Sequence, residues 1–243
     1  VDLKNFFESI SYDYRVDFEQ TKNICLLTKT RPNEKIDGEM PYGSEQVFLL
    51  KSIAKANNVK KYFEIGTGRG TSAYSVASLK SVEEVITSDI LDFEKKRLTA
   101  INYKEKVLSN KDIYDLYQEK SKEKIKFIHP SKYRHIIKSH KNSIDLAFID
   151  GNHTNIFRIY RDFVICKKLL KKDGVILFDD YNTKEFQVKK IVDFLMRFKK
   201  IKNVTLIKFH GHLFNNGDKR DYSGIAMCNL NYWDLKMLIS IGS

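Results

Sequence analysis

From Tyr62 onward the chain alternates short apolar runs with longer segments in which apolar residues recur at helical spacing. Tyr62–Ile65, Glu84–Ser88, Ile125–Ile128, Ile144–Ile149 and Val175–Phe178 read as strands. Ile144-Asp145-Leu146-Ala147-Phe148-Ile149 is almost continuously apolar, the pattern of a central parallel strand covered on both faces. Helical stretches fall at Thr71–Leu79, Phe93–Asn102, Lys111–Lys122, Lys132–Lys138, Ile156–Leu170 and Glu185–Phe198. Beyond these, Val204–Phe209 and Gly224–Cys228 flank the polar turn Asn215-Asn216-Gly217-Asp218, so the sheet is expected to finish in an antiparallel hairpin. The whole predicts an α/β fold, a doubly wound, mostly parallel, seven-stranded sheet. Upstream, Ser44 is placed to cap a helix whose apolar face is Val47, Phe48, Leu50, Ile53 and Ala54. Residues 1–40 are the least regular and are expected to form an arm or lid on a domain spanning 41–243.

The first strand runs straight into Glu64-Ile65-Gly66-Thr67-Gly68-Arg69-Gly70-Thr71-Ser72, with glycines at alternate positions before a helix. Glycines permit positive φ and let a ligand approach the backbone, and the unpaired N–H groups of the following helix face the same space. An acid at Glu64 suits a ligand with a positive or hydroxyl-rich part better than a pyrophosphate.

A length of 243 residues suits one α/β domain with additions. Lys plus Arg is 43 against 31 Asp plus Glu, a formal charge of +12. The excess is spread in pairs such as Lys167-Lys168, Lys189-Lys190 and Lys199-Lys200, the distribution of solvated faces, so nucleic acid is not the expected partner. Cys25, Cys166 and Cys228 are odd in number and far apart, which reads as free thiols in a reducing compartment, by default the cytoplasm. No apolar run approaches the roughly 20 residues of a membrane span and no signal-peptide pattern opens the chain, so no membrane partner is expected. The sequence opens on Val1 rather than Met, which leaves room for residues upstream.

The glycine turn resembles the first motif of class I S-adenosylmethionine-dependent methyltransferases. Asp89 closes the second strand in Thr87-Ser88-Asp89, the place of an acid that partners ribose hydroxyls. Phe148-Ile149-Asp150-Gly151-Asn152-His153, a helix, and then Gly174-Val175-Ile176-Leu177-Phe178-Asp179-Asp180-Tyr181 are similar to the metal-dependent O-methyltransferases related to macrocin and mycinamicin O-methyltransferases, and more distantly to catechol O-methyltransferase. The likeness covers about Gly43 to Tyr181 and implies a Rossmann-like methyltransferase fold. It assigns cofactor contacts to Gly43, Glu64, Gly66, Thr67, Gly68, Gly70, Thr71, Ser72, Asp89, Ser131 and Asp150. It places a divalent ion on Asp150, Asp179 and Asp180, and a general base at His153. One departure is His129-Pro130-Ser131 after the third strand, where relatives carry Gly-Asp-Ser, so an acid on the adenine side is missing.

The chemistry is consistent with that assignment. If the fourth and fifth strands are neighbours, Asp150 and Asp179-Asp180 emerge side by side at the carboxyl edge of the sheet. Three carboxylates there call for a hard cation, Mg²⁺ before Mn²⁺, and a bound hydroxyl would become more acidic. The expected activity is methylation of a hydroxyl on a small molecule, with a sugar or glycosylated metabolite suggested by the resemblance alone. Two rivals are an RNA methyltransferase, motivated by the positive charge, and a non-catalytic S-adenosylmethionine-binding module. The former lacks an Asn-Pro-Pro-Tyr-type motif, since Asp179-Asp180-Tyr181-Asn182 stands where nucleobase chemistry would expect one. The irregular N-terminal arm is compatible with a homo-oligomer.

Overall fold

The computed structural model describes residues 1–28, 36–37, 40–41, 44–96, 108–181, 183–209 and 224–231. Among these residues seven strands form one sheet in the order β5-β4-β3-β6-β7-β9-β8. They are β3 (Lys61–Ile65), β4 (Glu84–Ser88), β5 (Ile125–Ile128), β6 (Ile144–Ile149), β7 (Leu170–Phe178), β8 (Ile201–Ile207) and β9 (Ile225–Leu230). The first five pair in parallel, whereas β9 runs antiparallel to both β7 and β8. The doubly wound sheet with its antiparallel edge hairpin is therefore as the pattern predicts. The strand pair β1 (Ile36–Asp37) and β2 (Met40–Pro41) forms a separate short ribbon.

Period-two alternation divides the core. Tyr62, Leu146 and Phe148 face one layer, built on α1 (Leu3–Ser9), α2 (Phe18–Thr28), α3 (Glu45–Ala56), α4 (Thr71–Ala77) and α5 (Asn110–Leu116). Phe63, Ile65, Ala147 and Ile149 face the other, built on α6 (Tyr133–His140), α7 (Ile156–Leu169) and α8 (Val188–Arg197). Because β6 is covered on both sides, almost every residue in it is buried, which is why its sequence is nearly unbroken apolar. Its one carboxylate, Asp145, lies at the strand's start and accepts the backbone N–H groups of Lys60 and Lys61 at 2.9 and 2.8 Å, with Lys171 Nζ also bonded.

Several boundaries differ from the sequence expectation. Phe93–Lys96, the described part of the expected Phe93–Asn102 helix, is not helical: Asp92 accepts the Glu94 N–H in a local turn, the usual competition of an Asp side chain with a helix. The expected Lys111–Lys122 helix divides into α5 and a 3₁₀ turn at Lys120–Lys124, and Ser109 with Asp112 makes the capping box that starts α5. Ser44 precedes α3 but makes no side-chain cap bond. The Asn215–Asp218 turn lies outside the described residues.

The N-terminal helices pack on the sheet layer through Leu3, Phe6, Phe7, Ile24 and Cys25. Lys51 of α3 is fully buried among them, donating to Thr21 Oγ1 at 3.1 Å and Ser78 Oγ at 3.2 Å, with Asp17 at 3.7 Å. Cys25, Cys166 and Cys228 are buried and carry no disulfide. Among the described residues no helix is long and apolar enough to cross a membrane.

Burial drives the Lys51 ammonium down to about 8, Asp17 opposing the change. The unfolded chain, with an ordinary lysine near 10.4, then holds more protons than the native one between those values. Stability of the parent relative to Lys51→Met is expected to climb as pH rises from about 8 toward 10. Chemical denaturation at several pH values checks this, and a flat difference would refute the buried charge.

Candidate active site

The turn after β3 owes its path to three positive-φ glycines, Gly66 at +106°, Gly68 at +52° and Gly70 at +84°. At Gly66 no side chain fits: a Cβ would sit 2.1 Å from the Asp150 carbonyl oxygen. The β3 and β6 tips thus meet backbone to backbone, fastened by Asp150 N–H to Ile65 O at 2.8 Å. Gly68 is different, because a Cβ there would meet nothing within 4 Å. It borders open space. Gly70 is held by packing, since a Cβ would press within 2.8 Å of the Tyr74 ring.

Two cavities meet along this seam, sharing Gly66, Gly68 and Asp150. One, of about 290 Å³, is lined by Gln46, Val47, Thr67, Thr71 and Ser72. The other, about 460 Å³, runs across the strand tips past Asp89, Ile90, Pro130, Tyr133 and Asn152 to Arg158 and Asp162. Asp89 stands at the wall between loop and strand, accepting Gly68 N–H at 3.1 Å and Leu91 N–H at 2.9 Å. A third hollow of about 330 Å³ lies on the far side of Asp89, along Phe93, Asn110, Phe127 and His129.

Glu64 belongs to the same seam but lies beneath it. Its side chain points with Tyr62 into the helical layer and is fully buried. Tyr62 Oη donates to it at 2.8 Å and Thr87 Oγ1 at 2.6 Å; Ser72 adds a third hydroxyl. Thr67 Oγ1 lies 2.6 Å from Thr87 Oγ1, so a hydroxyl chain joins the lining to the acid. Burial pushes the Glu64 carboxyl up to about 7, against the pull of the three hydroxyls.

On the other flank, Asp150, Asp179 and Asp180 come together at the adjacent ends of β6 and β7. The buried Asp179 carboxyl is held well above the usual carboxylate range, by burial first and then by Asp150 and Asp180. His153 stands between two of the three: Nε2 is 3.4 Å from Asp150 Oδ1 and Nδ1 is 3.3 Å from Asp180 Oδ2. Its ring packs against Phe186 with centroids 5.0 Å apart, and its carbonyl accepts Gln187 N–H at 2.7 Å. The following helix does not use His153 as its cap, because Asn155 accepts the N–H groups of Phe157 and Arg158. Asp180 has φ +55°, a left-handed backbone that turns the chain at the end of β7. Among the described residues no three His, Cys, Asp or Glu side chains stand as a ready-made coordination shell.

The structure therefore brings Gly66, Thr67, Gly68, Thr71, Ser72, Asp89 and Asp150 onto one crevice, with His153, Asp179 and Asp180 at its flank. Ser131 does not line these cavities; it is exposed, with Oγ 3.0 Å from His129 Nδ1, and its neighbour Pro130 forms the wall instead. Gly43 lies outside the described residues. Sequence reasoning missed Ile90, Tyr133, Asn152, Arg158 and Asp162. Ile90 and Asn152 adjoin Asp89 and the Asp150–His153 motif, a signal that was there to use. Asp162 is buried and accepts Arg161 Nε and Nη2 at 3.1 and 2.9 Å, an arrangement no spacing announces.

The family model of a methyltransferase domain matches residues 63–181. Comparison with curated proteins gave no match. Among solved structures, the chain is similar to the O-methyltransferase TomG of Streptomyces achromogenes, involved in tomaymycin synthesis and solved with S-adenosylmethionine: 14% identity, 87% of this chain and 90% of that one, TM-score 0.57. An O-methyltransferase from Bacillus cereus in complex with S-adenosylhomocysteine matches at 13% identity over 93% and 96% of the two chains, TM-score 0.56. The Podospora anserina methyltransferase PaMTH1, bound to S-adenosylhomocysteine, matches at 14% over 90% and 97%, TM-score 0.53. The fold is that of these methyltransferases, and the match to the methyltransferase-domain family falls on residues 63–181, from β3 to just past the end of β7.

The buried acid gives a pH test. With a native value near 7 against about 4.3 in the unfolded chain, Glu64 favours the fold below that window and loses the contribution as pH rises through 7. Glu64→Gln should gain melting temperature relative to the parent as pH goes from 5 to 8. A difference that stays constant would mean the carboxylate is not proton-linked.

Proposed function

We propose that the chain is an O-methyltransferase that moves the methyl group of S-adenosylmethionine to a hydroxyl of a small molecule, with a divalent cation, Mg²⁺ or Mn²⁺, at the acidic tips of β6 and β7. The observation that carries the reading is the crevice itself, where Gly66, Gly68, Asp89 and Asp150 line one seam flanked by Asp179, Asp180 and His153.

S-adenosylmethionine supplies a methyl carbon made electrophilic by its sulfonium. Asp89, at the tip of β4, has the position and chemistry to accept ribose hydroxyls, and Ile90 and Pro130 offer an apolar wall to a base. Thr67, Thr71 and Ser72, with the N–H groups at the head of α4, suit the amino-acid end. Glu64 acts from below, a carboxylate within one hydroxyl chain of that lining. Thr28 Oγ1, at the end of α2, lies 2.8 Å from Thr71 Oγ1, which supports reading residues 1–40 as an arm closing this side.

The donor set fits a hard cation. Carboxylate oxygens are the ligands such ions take, and Asp179 is in the surroundings where an ionised carboxylate needs added positive charge. Asp150, Asp179 and Asp180 would hold the ion, which would supply Lewis acidity toward a hydroxyl. His153, braced by Phe186 and set between carboxylates, is positioned to receive that hydroxyl's proton. Holding donor and acceptor against one rigid sheet edge removes entropy from the barrier.

Calorimetric titration with S-adenosylmethionine, then a methyl-transfer screen over hydroxyl compounds with added Mg²⁺ or with EDTA, tests the proposal. EDTA and Asp179→Asn should each abolish turnover. His153→Gln should lower kcat by about 10²–10⁴-fold, the usual worth of a positioned base. Cofactor binding with transfer indifferent to chelation and to Asp179→Asn would remove the metal from the account.

A further inference from the structure

The face formed by α7 and α8, on the opposite side of the sheet from the N-terminal helices, carries an aromatic strip that the core does not use. Phe157 is 82% exposed, Tyr160 41%, Phe194 43% and Phe198 52%. The rings form one row: Phe157 and Tyr160 lie a turn apart on α7, Tyr160 meets Phe194 edge-on at 6.1 Å, and Phe194 meets Phe198 at 4.6 Å. Phe63 and the other buried aromatics explain themselves by packing. A contiguous apolar strip facing water does not, and such strips mark contact surfaces.

The rim identifies the contact. Lys190 and Arg197 lie four residues before and three after Phe194, on the same exposed side of α8, and Lys199 follows the helix. On α7, Lys168 lies exposed three turns beyond Phe157. Asp193, the acid within this stretch of α8, is taken by Lys189 at 2.6 Å. Apolar rings at the centre with long cationic side chains around them match a lipid interface, where the rings enter the acyl boundary and the cations meet headgroups. A second copy fits less well, because a two-fold contact would set one cationic rim against another. Nucleic acid fits less well too, since Tyr160, Phe194 and Phe198 lean on one another instead of presenting open faces.

We infer that the α7–α8 face docks reversibly on an anionic phospholipid bilayer through Phe157, Tyr160, Phe194 and Phe198 with Lys190 and Arg197 at the rim. Peripheral docking needs no spanning helix. It stands independently of the methyl-transfer reading.

The test is co-sedimentation of the whole chain with vesicles of phosphatidylcholine alone or with one third phosphatidylglycerol. Binding should require phosphatidylglycerol and weaken with salt, as exposed charges are screened. Lys190→Glu with Arg197→Glu should reduce partitioning by about 30-fold or more, each lost cation being worth roughly 5-fold near such a surface. Phe194→Ser with Phe198→Ser should lower it under the same conditions, with an unchanged melting temperature showing that the fold survives. Should that pair unfold, the charge pair, placed on exposed positions, carries the test. No binding above the phosphatidylcholine control, or equal binding by the parent and the charge variant, overturns the proposal. So does dimerisation in sedimentation velocity, or retention of a single-stranded RNA, that the same variants abolish, for either assigns the face to another occupant.

Discussion

The whole site depends on one close approach, the Gly66 backbone against the carbonyl of Asp150. A side chain at Gly66 would overlap that oxygen, so the glycine turn and the acidic end of β6 can meet only because residue 66 has none. Two consequences follow from the same contact. The glycine turn is held along the crevice, with Gly66 and Thr67 N–H on the Ser88 carbonyl, and Asp150 is fixed by the Ile65 carbonyl at a tip shared with β7. The glycine turn and the acidic strand tips are thereby placed on one rigid seam. The parallel pairing of β3, β6 and β7 does the rest, because adjacent strand ends leave their loops on the same edge.

Around that contact the protein buries charge in two different ways. Glu64 is surrounded by hydroxyls from three elements and sits under the loop, so its ionisation is balanced by neutral donors alone. Asp179 is surrounded by other acids, and its neighbours raise the cost of ionising it. The first arrangement is a closed network that holds the turn in shape. The second is an open one, in which His153 stands beside two carboxylates and positive charge is in demand. Opposite environments on either side of Gly66 suggest opposite duties, one for support and one for chemistry.

Much of this was legible in the chain. Strand–helix alternation from Tyr62 and the apolar run at β6 define a parallel sheet because a strand covered on both faces has no polar period to show. The acids at Asp89, Asp150, Asp179 and Asp180 could be placed on strand ends for the same reason. What spacing does not convey is the direction of a side chain at a strand's end. Glu64 alternates with Phe63 and Ile65, which sends it to the Tyr62 side and beneath the loop. Ser131 follows a proline in a 3₁₀ turn that sends its hydroxyl back to His129. Asp162 and Tyr133 reach the crevice from helices packed across the sheet, and such long-range placement leaves no local mark. The aromatic strip on α7 and α8 was hidden for a related reason: which helical face is already covered shows only in the packing.

The most direct measurement is a crystal structure of the chain grown with S-adenosylhomocysteine and Mg²⁺. Ribose hydroxyls are expected on Asp89, the sulfur end beside Asp150, and the ion on the Asp150–Asp179–Asp180 cluster. A nucleoside bound away from the Gly66–Asp150 seam, or metal density remote from those three carboxylates, would contradict that placement.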